Sequence, residues 1–377
     1  MTAASRIGRV LVTGGCGFVG SHFIRHLLRT HPEATVINLD KLTYAGDPSN
    51  LADVEQACGR RTDSSKPPRY RFVRGDICDR SLLARILEQE QGCVDTIVHF
   101  AAETHVDRSI ERASPFIQTN IVGTQVLLEA VQAAWEARSS SDTPGAAGPR
   151  FLYVSTDEVY GPSVAGQTFK ETSPLRPTSP YAASKASAEL ICQSYAQTYG
   201  IPVLIARLSN QYGPNQLPEK LIPKAISNLL SGQPIPIYGR GKERRTWTYV
   251  DDTCHALVQL LAGRIHQGIF NMPGLVERRN IDLIQQLIAI FDRLSQGAYV
   301  PPMGRERIRF VEDPRSTVHD SRYRMDATKA ASAIGWDPQT SIQDGLQRTV
   351  TWYLSHREWL RRASQRLAAA AASDGEV

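Results

Sequence analysis

The stretch that most limits what this chain can fold into lies near its start. Arg9 to Thr13 (R-V-L-V-T) is a short apolar run, followed at once by G-G-C-G-F-V-G and then by S-H-F-I-R-H-L-L, whose apolar residues recur at helical spacing. That order predicts a strand, a glycine turn and a helix. Gly14, Gly17 and Gly20 stand at G-x-x-G-x-x-G spacing, which permits a tight turn, close approach of backbone to a pyrophosphate and close helix packing, with the phosphates at the helix N-terminus. A second apolar run, T-V-I-N-L, ends at Asp40, 20 residues after Gly20. A carboxylate there can accept hydrogen bonds from an adenosine ribose and repel a 2′-phosphate, so the pair favours NAD over NADP. The plain alternative is an Asp that only caps a loop.

The alternation continues. Y-R-F-V-R-G reads as a third strand ending at Asp76 and Ile77, S-L-L-A-R-I-L-E-Q as the helix after it, and V-D-T-I-V-H-F-A-A as a fully buried fourth strand. Asp47 to Arg69 is polar loop with at most a short helix, and Phe116 to Ala137 predicts one long amphipathic helix. F-L-Y-V-S and P-V-L-I-A-R-L supply strands five and six, separated from what precedes them by the low-complexity loop R-S-S-S-D-T-P-G-A-A-G-P-R. The expectation is an α/β fold: a Rossmann-type doubly wound parallel sheet with a smaller interleaved α+β substrate-binding domain. The sheet would occupy residues 1–215, with 243–272 returning to it as a strand and helix (T-W-T-Y-V-D-D-T-C-H-A-L) and G-I-F-N-M-P-G-L beginning another departure. The smaller domain would take 216–242 and 273–360, leaving the alanine-rich 361–377 as a frayed helix or tail.

Chemistry concentrates between Ser155 and Lys185, where S-T-D-E-V-Y-G is followed by Y-A-A-S-K. Tyr181 and Lys185, four apart on a predicted helix, leave the same face. Roughly one free tyrosine in a thousand is ionised at neutral pH, and lowering its pKa by about three units needs about 4 kcal/mol from nearby positive charge, such as Lys185 and an oxidised nicotinamide. Taken alone, such a pair more often flanks a solvated face. Strand five delivers Thr156, Asp157 and Glu158 to the edge where ligands bind in parallel sheets. Two adjacent carboxyls there make sense if one is kept protonated as an acid and the other ionised as a base; otherwise they are solvated loop residues. His105 and Asp107, after strand four, read as supporting rather than reacting groups.

Composition excludes several classes. In 377 residues, 43 basic against 38 acidic side chains leave a net charge of +5, too mild for a nucleic-acid binder. Six cysteines without a C-x-x-C pair or a histidine cluster suggest neither a disulfide framework nor a metal site, and a reducing cytoplasm fits. The first residues lack a signal-type apolar run and no stretch approaches a membrane span. Arg244, Arg245, Arg278, Arg279, Arg315 and Arg322 gather cations in the second half, suited to a diphosphate.

Taken together, T-G-G-C-G-F-V-G, L-D-K-L-T-Y-A-G, H-F-A-A-E-T-H-V-D-R-S-I, S-T-D-E-V-Y-G, S-P-Y-A-A-S-K and Y-G-P-N-Q-L-P-E-K-L-I-P resemble the nucleoside-diphosphate-glucose 4,6-dehydratases of the extended short-chain dehydrogenase/reductases. The likeness runs from Val10 to about Trp352. It implies a redox-neutral reaction on one bound NAD and a nucleotide-sugar substrate, dTDP-glucose or UDP-glucose. In it Tyr181 acts at the 4-hydroxyl with Thr156 and Lys185 in support, Glu158 takes the C5 proton and Asp157 protonates the departing 6-hydroxyl. The cofactor site would be lined by Gly14, Gly17, Phe18, Val19, Gly20, Asp40, Lys41, Leu42, Thr43, Asp76, Ile77, Phe100, Ala101, Ala102, Thr104, Tyr181 and Lys185. The sugar nucleotide would be held by Thr104, Thr156, Asn210, Lys220, Leu221, Pro236, Tyr238, Arg245, Asn280, Arg315 and His319.

This chain departs from the pattern in places. It reads R-S-T-V-H-D where the family often has R-P-G-H-D, and N-Q-L stands before P-E-K, which leaves the base, thymine or uracil, open. The resemblance also implies a homodimer formed through a four-helix bundle of Phe116 to Ala137 and Tyr181 to Tyr199. Sugar-nucleotide epimerases and decarboxylases share the Tyr181/Lys185 pair but have no use for an acid at C6. A catalytically silent NAD-sensing protein is the third reading.

Overall fold

The computed structural model describes residues 7–59, 68–88, 94–139, 149–164, 166–295, 306–313 and 322–374. Among the described residues twelve strands run in chain order: β1 (Arg9–Thr13), β2 (Thr35–Asp40), β3 (Tyr70–Arg74), β4 (Thr96–His99), β5 (Arg150–Thr156), β6 (Val203–Leu208), β7 (Asn210–Tyr212), β8 (Ile235–Tyr238), β9 (Arg244–Tyr249), β10 (Gly268–Met272), β11 (Glu277–Arg279) and β12 (Ile308–Val311). Seven of them form one parallel sheet in the order β10-β6-β5-β4-β1-β2-β3. The strand order reverses between β1 and β4, and the crevice at that reversal, beyond the carboxyl ends of the strands, is where such sheets bind ligands.

Both faces of the sheet are covered, and the strand period of two decides which residue faces which layer. Val10 and Val12 pack with Phe23, Ile24 and Leu27 of the helix Phe18–Thr30 and with Leu257 and Leu261 of the helix Val250–Ala262. Leu11 faces the other way, into a cluster with Leu127 and Val131 of Thr124–Ser139 and Cys192 of Pro180–Tyr199. Each such fully buried aliphatic side chain contributes about 1.5–3 kcal/mol.

A third core builds the smaller lobe from the helices Leu221–Ser231, Asn280–Ser295 and Ile342–Ser355, the parallel pair β8/β12 and the short sheet β11-β9-β7. Here the structure differs from the sequence reading in three ways. T-W-T-Y-V does not rejoin the large sheet: as β9 it pairs with β7 and β11, and only the helix after it returns. G-I-F-N-M does not depart but becomes β10, the edge strand beside β6. Of the segment read as a frayed helix or tail, residues 361–374 continue the helix Arg357–Asp374, whose Ala363 is buried in the third core beside Trp359 and Leu360. The long helix expected at Phe116 to Ala137 contains a π-helical stretch, Ile117–Gly123, before its α-helical part. Wide turns of this kind recur at functional sites, and this one turns the buried Asn120 toward the sheet edge.

Candidate active site

The glycine turn is built by backbone clearance. Gly14 has φ +71°, a left-handed conformation, and a Cβ there would lie 2.6 Å from the Ala101 nitrogen; a Cβ on Gly20 would lie 2.4 Å from the Gly14 carbonyl oxygen. The helix therefore starts hard against the turn with its free amides facing the cavity. Asp40 ends β2 with both carboxylate oxygens engaged, Oδ2 accepting from the Cys16 amide at 2.9 Å and Oδ1 from the Leu42 amide at 2.8 Å. Burial pushes its pKa up, opposed by those two backbone donors. Lys41 pairs with Asp76 at 2.7 Å across the strand ends. This cradle fits a dinucleotide: a turn with no room for a side chain at Gly14 or Gly20, an anion site at a helix N-terminus, and an acidic group where the ribose would lie.

The same cavity, about 590 Å3, runs on to the smaller lobe, and it collects the residues expected from sequence. Gly14, Gly17, Phe18, Val19, Gly20, Asp40, Lys41, Thr43, Asp76, Ile77, Phe100, Ala101, Ala102 and Thr104 line one part. Thr156, Asp157, Glu158, Tyr181 and Lys185 line the middle, and Asn210, Lys220, Leu221, Pro236, Tyr238, Arg245 and Asn280 the rest. Leu42 is not in the wall; its amide holds Asp40. Arg315 and His319 lie outside the described residues.

At the centre, the end of β5 turns into Asp157–Tyr160 with Thr156 as its cap, Thr156 Oγ1 accepting from the Glu158 amide at 3.3 Å. The helix Pro180–Tyr199 opens with Ser179 accepting from the Ala182 amide at 3.1 Å and Pro180 in its first turn, so Tyr181 enters the cavity from a rigid start. Asp157 is buried, and burial and the charge of Glu158 raise its pKa to about 7, against the pull of Arg245. Tyr181 is also buried; burial and then Glu158 push its phenol well above the ordinary value, while a hydrogen bond with Thr156 works the other way. Lys185 points to the strand: Nζ donates to the Val154 carbonyl at 2.8 Å and sits 4.2 Å from the centroid of the Tyr153 ring. Burial lowers its pKa to about 8, with Glu189 opposing. The sequence expectation that the lysine charge eases ionisation of the phenol is therefore not visible here: burial first, and then the carboxyls beside it, hold the Tyr181 phenol up.

Several residues in or around this cavity went unassigned from sequence. Asn120 accepts from the Glu103 amide at 2.8 Å, donates to the Glu103 carbonyl at 3.0 Å and to Ser184 Oγ at 2.8 Å, tying the loop after β4 to the helix that carries Tyr181 and Lys185. Its signal, a polar residue on the inward face of an apolar helix, was there to be read. Glu219, inside the P-E-K motif, is half-buried in the wall with its pKa raised by desolvation. Lys220 reaches back to the Thr104 carbonyl at 2.9 Å, and Tyr238 donates to Asp107 Oδ2 at 3.2 Å, so the two lobes touch across the cavity. His105 caps its short helix, its Nδ1 accepting from the Arg108 amide at 3.4 Å. Among the described residues no group of His, Cys, Asp and Glu could hold a metal ion.

The profile of the GDP-mannose 4,6 dehydratase family matches residues 11–349. The chain is 42% identical over 363 residues to dTDP-glucose 4,6-dehydratase 1 of Escherichia coli (strain K12), covering 93% of this chain and 94% of that relative. A solved dTDP-glucose 4,6-dehydratase from Streptomyces venezuelae, with NAD and TYD bound, superposes with a TM-score of 0.80 at 44% identity, covering 94% of this chain and 99% of that one. A UDP-glucuronic acid 4-epimerase from Bacillus cereus, in complex with UDP-glucuronic acid and NAD, follows with a TM-score of 0.75 at 26% identity, covering 92% of this chain and 99% of that one.

Proposed function

The chain belongs to the GDP-mannose 4,6 dehydratase family, and from that membership together with the site we propose the following reaction and roles. It is an NAD-dependent dTDP-glucose 4,6-dehydratase, converting the sugar nucleotide to its 4-keto-6-deoxy form with loss of one water. NAD, which the glycine turn and Asp40 would hold, would supply reversible hydride acceptance at the sugar. Tyr181 Oη takes the proton of the 4-hydroxyl, with Thr156 Oγ1 bonded to the same oxygen cluster. The resulting ketone acidifies C5–H, and Glu158 removes that proton. Asp157 gives its proton to the 6-hydroxyl, which leaves as water, and Glu158 returns a proton to C5. Lys185 orients the nicotinamide side of the site, while Lys220, Arg245 and Asn280 hold the nucleotide diphosphate.

One observation carries this reading: a buried carboxyl, its pKa raised by burial and by the second carboxyl beside it, lines the same wall as the tyrosine. Epimerisation at C4 has no work for such an acid. Incubation with dTDP-glucose should yield a product with the alkaline absorbance of a 4-keto-6-deoxy sugar; absence of any keto product from dTDP- or UDP-glucose would sink the proposal. The relatives at about two-fifths identity carry the thymine name, which supports dTDP-glucose over UDP-glucose.

The pH dependence follows from Asp157. Its carboxyl must be protonated to release the 6-hydroxyl, and its pKa is about 7, so kcat/KM should fall as pH rises through that value, towards about tenfold per unit. Removing the Glu158 charge lowers the Asp157 pKa, so in Glu158→Gln an isotope-edited infrared titration of the Asp157 carboxyl should move to lower pH. No movement would mean that Glu158 is not its neighbour in solution.

Among the described residues no helix is long and apolar enough to cross a membrane. A cytoplasmic location is supported by five free cysteines among the described residues, and cell fractionation tests it. A homodimer through the helices bearing Ile117 and Leu190 is supported by the exposure of those side chains, 50% and 58%. Light scattering that gives a monomer would count against it.

A further inference from the structure

Asn50 lies outside the cavity wall, in the short turn Pro48–Leu51, and is 3% exposed. Its carboxamide joins three distant parts of the chain. Nδ2 donates to the Cys16 carbonyl at 2.9 Å, while Oδ1 accepts from Asn215 Nδ2 at 3.0 Å and from Trp359 Nε1 at 2.8 Å. Cys16 is the residue inside the glycine turn whose amide holds Asp40, so its peptide groups are gripped on both sides. The Cys16 carbonyl has a second donor, the Asp47 amide at 3.0 Å, and the Asp47 carboxylate in turn takes Arg366 Nη1 at 2.7 Å. Trp359 and Arg366 belong to the one helix Arg357–Asp374. That helix thus sets two donors on the two residues that clamp the glycine turn from behind. Asn215 brings in the other lobe: it is held at φ +63°, a conformation non-glycine residues rarely adopt, four residues before the Glu219-Lys220 pair of the cavity wall.

We propose that Asn50 is a positioning residue for the dinucleotide, fixing the glycine turn through Cys16 and coupling it to the C-terminal helix and to the substrate-side loop. Phosphate recognition at a helix N-terminus depends on where a few backbone amides point, and a carbonyl held by two donors fixes the plane of the peptide next to them. A buried asparagine that only satisfied its own hydrogen bonds would affect stability; one that sets the turn affects NAD affinity apart from stability. The inference rests on the NAD reading above.

The test is calorimetric titration of NAD into nucleotide-free full-length protein, with the thermal midpoint and kcat at saturating NAD measured beside it. Asn50→Asp keeps the acceptor for Asn215 and Trp359 but turns a carboxylate oxygen on the Cys16 carbonyl; it should weaken NAD binding by about tenfold or more, with kcat within about twofold. Trp359→Phe removes the N–H together with the five-membered part of a buried indole, so it should lower the thermal midpoint and, in the folded protein, weaken NAD binding by about threefold. If Asn50→Asp fails to fold, Trp359→Phe alone decides. NAD affinities within about twofold of the parent in the folded variants would overturn the inference, as would a fall in kcat with affinity unchanged. A parent protein that binds no NAD would instead bring down the cofactor reading, and this inference with it.

Discussion

Replacing Asp157 by Asn and Glu158 by Gln together should cut formation of the 4-keto-6-deoxy product by about a thousandfold or more, within the range for loss of general acid–base catalysis. Reduced nicotinamide should still appear when the double variant is mixed with dTDP-glucose. The split follows from where each group sits. Oxidation at C4 needs a proton taken from the 4-hydroxyl, and Tyr181 with Thr156 is the pair placed for that. Loss of water needs a base at C5 and an acid at C6, adjacent carbons, and the proposed roles assign one of each to the adjacent residues after β5. A thousandfold is about 4 kcal/mol of transition-state stabilisation, more than a packing change from two isosteric amides would account for. Full turnover by the double variant would refute the role assignment; absence of both oxidation and product would mean that the carboxyls are needed for binding. The single variant Asp157→Asn separates the two, since it removes the acid and leaves the base.

Much of this site could be read from sequence because each half is contiguous and punctuated. A short apolar run that stops at Gly14, Asp40 or Thr156 marks a strand end, and in a parallel sheet the strand ends converge. Tyr181 and Lys185 were legible as a pair by helical spacing, but not the direction of the lysine, which depends on the Val154 carbonyl and the Tyr153 ring of another element. The edge strand β10 and the small sheet around β9 were misread for a related reason. G-I-F-N-M and T-W-T-Y-V are both short runs, and only their tertiary partners decide which sheet takes them. Residues 361–374 read as a frayed helix or tail because their stripe includes alanines, which carry little hydrophobic signal although Ala363 is wholly buried. Nothing local in P-S-N-L says that Asn50 reaches both Cys16 and Trp359. Contacts more than 300 residues apart in sequence leave no periodicity to read.

Tyr181→Phe should have a different signature: neither reduced nicotinamide nor product, with turnover down by about 10²–10⁴-fold, because the first proton transfer is lost and every later step depends on it. The phenol of the parent is a poor base as it stands. Burial and the neighbouring Glu158 and Asp157 hold its pKa up, and only the Thr156 hydrogen bond favours the phenolate. From the ordinary value alone, neutrality is about three units and about 4 kcal/mol away, and the raised phenol needs more, so the positive charge of an oxidised nicotinamide and protonation of Asp157 must both act in the same direction. In the proposed reaction Asp157 would therefore serve twice: its proton would leave with the 6-hydroxyl, and while held it would spare Tyr181 one negative neighbour. This yields a check independent of turnover. In NAD-loaded protein without sugar, Glu158→Gln should ionise Tyr181 at a lower pH than the parent, read as tyrosinate absorbance that Tyr181→Phe abolishes. Thr156→Val, which removes the one opposing hydrogen bond, should move the same titration to higher pH. If both variants titrate with the parent, the phenol is not under the control of these neighbours, and the base at C4 must be sought elsewhere in the cavity.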